Sequence, residues 1–190
     1  MSVTSIQGAR YAMPIVDENS RFVTVVFMNS RHIAPDIIMD CIKSYETLIG
    51  AKVAIIQADN AGEFTSDYFR SRLKSKGIHL QTSIPYTPQQ NGVAERMNRT
   101  LVDRTRTMMI HAGLPTQYWE FAMAAAAHIT NRIPSSSNNG RSPFELFFGS
   151  VPDLSHVRVF GCRAFAHIPN AKRFVNSTQR PRHAPYSVIR

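Results

Sequence analysis

A chain of 190 residues, 43% of them hydrophobic, has room for one domain with a tail, or one domain and part of another. No apolar run approaches the ~20 residues of a membrane span. The greasiest stretch, 120–129, carries Glu120 and His128, and no basic-then-apolar leader opens the chain, so a soluble intracellular protein is expected.

Charge and cysteine usage narrow the class further. The 22 Lys and Arg against 13 Asp and Glu leave +9, and 8 basic against 2 acidic residues fall from Arg141 onward. Such a surplus attracts polyanions, nucleic acid foremost. Cys41 and Cys162 stand far apart and the seven His are scattered singly, which excludes a zinc ribbon or a disulfide framework. Two reduced, mostly buried thiols are expected.

In chain order, Tyr11–Val16 and Arg21–Phe27 read as strands joined by the polar turn Asp17-Glu18-Asn19-Ser20. Pro35 through Leu48 reads as a helix with Gly50 just past its end, its buried face formed by Ile38, Cys41, Ile42, Tyr45 and Leu48. Val53–Gln57 is a β-branched run expected of an interior strand. Thr65 to Lys76 returns to helix with Gly77 as its stop, and Ile78–Ser83 is a further strand.

Ile84 to Gly92 holds two prolines and Asn-Gly, which no regular element accommodates. A long helix follows from about Val93 to His111, and a second from about Thr116 to Asn131. Ser135–Gly140 is a low-complexity linker. Val157–Phe160 and Arg163–Ile168 are expected to pair as a hairpin, and 170–190 reads as a basic tail. This order predicts an α/β fold, a mixed sheet flanked by helices.

Asp59 follows the strand Val53–Gln57 with one residue between. The carboxyl end of a strand is where open sheets place ligands and metals. An Asp there also serves as a turn or helix cap, and Asn60-Ala61-Gly62 is good turn chemistry. Glu95 lies in the first turn of the long helix, where its charge suits the macrodipole whatever else it does. On the helical wheel Glu95, Arg99, Val102 and Arg106 share one face, opposite an apolar side of Val93, Met97, Leu101 and Met108. A Glu among arginines is either a salt-bridged surface or a carboxylate beside phosphate-binding cations, and spacing does not decide. Trp119 is expected in the core rather than as a stacking platform.

The strings QADNAGEF (57–64), GIHLQTS (77–83), PYTPQQNGVAERMNRT (85–100) and LPTQYW (114–119) closely resemble the integrase core of copia-type retroelements. So do TNRIP (130–134), SPFELFFG (142–149) and VRVFG (157–161), and the likeness runs from about Tyr11 to Ile168. The resemblance implies an RNase H-like core, spanning 1–134, then a linker at 135–141, a family-specific segment at 142–169 with the hairpin, and the tail at 170–190.

It further implies that Asp59 and Glu95 match two of three catalytic carboxylates that hold Mg²⁺ or Mn²⁺. Two such ions clamp the attacking and leaving oxygens of a phosphoryl displacement. In the family, water first trims the element's DNA end and the freed 3′-hydroxyl then attacks target DNA. Pro85, Tyr86, Thr87, Pro88, Gln89, Gln90, Asn91 and Gly92 resemble the active-site loop, with Gly92 as its hinge. Arg96, Asn98, Arg99 and Arg106 are candidates for DNA contacts, although Arg96 or Arg99 could instead pair with Glu95 or Asp103. The implied partners are DNA, both element ends and target, and further copies of the chain, with no membrane. The implied location is intracellular, and the nucleus for a functional protein.

Two departures stand out. The family's first catalytic Asp belongs to a strand upstream of Tyr11–Val16, yet MSVTSIQGAR holds no acidic residue, so a core lacking its first strand is expected. Asp17 matches a different acid, at a turn. Ala61 stands where the family has Gly, which matters only if that position needs positive φ. If that strand and a zinc domain are absent altogether, the alternative is an inactive remnant that binds nucleic acid without specificity.

Overall fold

Largely apolar runs, YAMPIV and VTVVFM, form Tyr11–Val16 (β1) and Val23–Met28 (β2), an antiparallel hairpin in register from Tyr11 opposite Met28 to Val16 opposite Val23. The turn between them is closed by Asp17, whose Oδ2 accepts the Ser20 N–H at 2.8 Å and the Ser20 hydroxyl at 2.6 Å. Asp17 is thereby committed to local structure. The structure, a computed structural model, describes residues 2–82 and 92–164.

Helix α1, Ala34–Ile49, takes Pro35 into its first turn and ends at Gly50, whose φ of 71° is a left-handed cap. It buries Ile38, Met39 and Ile42. The expected apolar face is corrected at its end, where Leu48 is 65% exposed. Strand β3, Ile55–Ala58, pairs parallel with β4, His79–Thr82. The helix expected over 65–76 is two pieces, α2 (Gly62–Thr65) and α3 (Asp67–Ser75). Ser66 separates them: its backbone is extended and its hydroxyl accepts the Phe69 N–H to start α3.

One core of Ile38, Met39, Ile42, Phe69, Leu73 and Ile78 joins α1 to α3, with Met13 and Ile15 of β1, Ile56 of β3 and Leu80 of β4 packed on it. The strands share this core but not a ladder. Among the described residues β1 pairs with β2 alone and β3 with β4 alone, giving two two-stranded sheets. The interior placement expected for Val53–Gln57 is therefore corrected: β3 has one partner, and Ile55 is 55% exposed.

The other face of the hairpin meets two helices. Helix α4, Gly92–Ala112, buries Leu101, Thr105 and Met109, and α5, Trp119–Thr130, is interior along most of its length. The alanine run of α5 keeps its surface small, so Ala126 and Ala127 pack directly with Leu101 and Val23. Val102 sits against the cluster of Ala9, Trp119 and Met123, a correction to its outward placement on the wheel. Trp119 is core as expected, edge-on to Phe27 at 5.7 Å, with its indole N–H donated to the Val3 carbonyl. Residues 3–9 are strapped onto α5: Ile6 N–H bonds the Gln117 carbonyl, and the Ser5 hydroxyl donates to buried Glu120.

Asn131 ends α5 by acting as a strand partner for β2. Its Oδ1 accepts the Val23 N–H at 2.8 Å and its Nδ2 donates to the Val23 carbonyl at 2.7 Å. Asn138, also buried, donates to the Ser20 carbonyl. A short helix absent from the sequence reading follows, α6 at Pro143–Phe148, capped by the Ser142 hydroxyl and stopped at Gly149. No strand forms at Val157–Phe160, and the second arm of the expected hairpin reaches beyond the described residues.

Candidate metal and nucleic-acid site

Asp59 leaves the carboxyl end of β3 and stands exposed. Its Oδ1 accepts the Ala61 N–H at 3.1 Å, so the side chain shapes the turn into α2. Ala61 sits at φ −61°, so the position makes no demand for glycine and the departure there is harmless.

Glu95 lies in the first turn of α4, exposed, with no ion pair among the described residues. The solvent stripe of α4 runs Glu95, Arg99, Asp103, Arg106, Ile110, at spacings of four and three. Arg96 and Asn98 flank it, also exposed. Neither Arg96 nor Arg99 pairs with Glu95 or Asp103 among the described residues. The stripe therefore presents guanidinium groups that no salt bridge engages among the described residues, which suits phosphate. Ile110, 74% exposed, extends it with an apolar end that periodicity on the wheel would have revealed had the face been followed past Arg106.

Gly92 is the first residue of α4, a correction to its placement in the preceding loop. A Cβ there would stand 3.2 Å from Arg96 Nη1, so the absence of a side chain lets the Arg96 guanidinium fold back over the helix start. The rest of the expected active-site loop, Pro85 to Asn91, lies outside the described residues.

All 13 acids of the chain are among the described residues, and many are committed to local structure. Asp17 closes the hairpin, Asp36 pairs with Arg72, Glu46 with Lys52 and Lys76, Glu145 with Arg141, Glu120 holds Ser5, and Asp153 caps Ser155. No three His, Cys, Asp or Glu side chains among the described residues come together as a metal cluster. Asp59 and Glu95 each offer hard oxygen donors, and neither belongs to a cluster of three such groups among the described residues. No helix among the described residues is long and apolar enough to cross a membrane.

Residues 1–88 match the integrase core domain family. The chain is 36% identical over 177 residues to the retrovirus-related Pol polyprotein from transposon TNT 1-94 of Nicotiana tabacum, an alignment covering 91% of this chain and 13% of that polyprotein. Its fold is similar to the catalytic core domain of BIV integrase, at a TM-score of 0.55 and 27% identity, covering 72% of this chain and 84% of that one. It is also similar in fold to the HTLV-2 integrase catalytic core domain solved in complex with magnesium in a trimeric form, at a TM-score of 0.52 and 20% identity over 70% of this chain and 80% of that one.

Proposed function

We propose that this chain, which belongs with the integrase core domains of copia-type retroelement Pol polyproteins, supplies part of the DNA-joining centre of such a polyprotein. The observation that carries the reading is the placement of two acids within the motifs of resemblance. Asp59 stands at a strand's carboxyl end and Glu95 in a helix's first turn, both exposed and neither held in an ion pair among the described residues.

The donor set fits a hard divalent cation, because Mg²⁺ takes carboxylate oxygen and keeps water in its remaining positions. Asp59 and Glu95 would hold it, and when bound it supplies charge stabilisation to the oxygens of an in-line displacement at phosphorus. Arg96 and Arg99, with Asn98 and Arg106 on the same exposed side of α4, would bind and orient the DNA backbone. The arrangement is sequence-independent, since guanidinium groups on phosphates carry no base readout.

A second such cation would need a further carboxylate beside Asp59 and Glu95. Among the described residues β1 and β3 each pair along one edge alone, and in this reading one further strand between them would merge the two sheets and deliver the third acid. Joining would then be a property of a longer segment of polyprotein. The same reading places the active protein in the nucleus and in contact with further copies of itself.

The test is a strand-transfer assay on a Pol segment that contains this chain. Glu95→Gln and Asp59→Asn are each expected to lower joining at least a thousandfold, about 4 kcal/mol of transition-state stabilisation. Because both positions are exposed, melting should stay within roughly 0.5 kcal/mol of the parent. Joining that survives Glu95→Gln would remove the site assignment.

A further inference from the structure

Away from α4, two imidazoles from distant parts of the chain face each other. His128 is on α5, half-buried, and His156 is exposed in the turn that follows α6. Their Nε2 atoms are 3.4 Å apart and their rings meet edge-on at 80°. That separation exceeds the ~2.7–3.2 Å of a good hydrogen bond from N–H. It equals the span between two ligands on a tetrahedral zinc-type ion, about 3.3–3.4 Å for metal–nitrogen bonds of ~2.0–2.1 Å.

The surroundings brace the backbone that carries each ring. Asp153 accepts the Ser155 N–H at 2.8 Å and the Ser155 hydroxyl at 2.9 Å, which fixes the turn bearing His156 and spends that carboxylate. Arg132 donates from Nη1 to the His128 carbonyl and lies over the Phe144 ring at 4.8 Å, bracing the end of α5.

We propose that His128 and His156 form a two-imidazole site for a divalent transition-metal cation of the zinc class, which fastens residues 151–164 to α5. Imidazole selects zinc, nickel and copper over magnesium, so this site is chemically separate from the carboxylates. Water completes the coordination, because among the described residues no third His, Cys, Asp or Glu joins the pair. The docked segment has reason to need a fastening: Val151, Leu154 and Val159 are 78%, 53% and 63% exposed, so little apolar burial holds it. A metal cross-link over 28 residues also stabilises by mass action, since it binds the folded chain and not the unfolded one.

The experiment is a titration of the metal-stripped full chain with ZnCl₂, following the histidine ring signals by NMR and the melting temperature. The expected result is that one equivalent moves the His128 and His156 rings together and raises the melting temperature. His156→Ala, at an exposed position, should weaken binding at least tenfold, and His128→Gln should do the same while keeping the bulk of the side chain. MgCl₂ should leave both rings unmoved, and Asp59→Asn with Glu95→Gln should leave zinc binding unchanged, which separates this site from the DNA-joining one. Zinc that shifts neither ring, or binds equally tightly to both histidine variants, overturns the proposal.

Discussion

His128 shows how one side chain's surroundings set a measurable property. Its imidazole is held below the usual ~6.5 by burial first, then by Arg132 and His156. In the unfolded chain the group returns to the ordinary value, so between the two values the unfolded state binds more protons. Stability from this group is therefore full above about pH 6.5, falls as the pH drops through that value, and levels off below the folded one. A metal-free NMR titration should find the His128 midpoint below that of a histidine-containing peptide, and His128→Gln should flatten the acid limb of stability against pH. A midpoint at or above the peptide value would contradict this. Residue roles were unevenly legible. Asp17 as a turn acid and Trp119 as core followed from type and position, whereas Asn131 stands out in the sequence only as part of a motif. Its work on Val23 spans 108 residues of sequence, and no local pattern announces such a contact.

Asn131 belongs equally to the scale of elements, because it substitutes for a neighbour that β2 lacks at Val23. Both of its bonds are buried, and truncation strands a backbone N–H and a carbonyl together. Asn131→Ala should cost about 2–3 kcal/mol, read as a lower urea midpoint with an unchanged slope. A loss below about 0.5 kcal/mol would show that water or a neighbour takes over the pair. On α4 the prediction concerns binding. Arg96→Glu with Arg99→Glu should weaken duplex DNA binding and make its decline between 50 and 200 mM salt shallower, since each guanidinium withdrawn from a phosphate leaves about one more counterion on the DNA. An unaltered affinity would move the footprint to the basic C-terminal residues. Elements with a strong period were readable: β1 has the expected bounds, and α1 and α4 extend the expected helices by a residue or two. The break at Ser66 and the short α6 carry no such period, although Ser142 and Glu145 form a capping-box pattern that marks the latter.

For the whole molecule, the two sheets are the consequential feature. A shared core under α1 and α3 holds β1 and β3 in one unit, yet their backbones do not pair among the described residues. The apolar character of Val53–Gln57 reads as an interior strand because it carries the composition of one, and composition does not reveal whether a partner is present. The same limit applies to the site. The resemblance of motifs singles out Asp59 and Glu95 and implies a third acid as well, whereas side-chain spacing alone supplies none of the three. The central claim is that Asp59 and Glu95 are competent but insufficient alone, and DNA strand transfer in Mg²⁺ by two proteins tests it most directly. One is the 190-residue chain, and the other carries an additional N-terminal strand with an acidic residue. The account predicts joining by the second protein alone, abolished there by Glu95→Gln. Joining by the 190-residue chain itself, or joining by either protein that persists in Glu95→Gln, would contradict it.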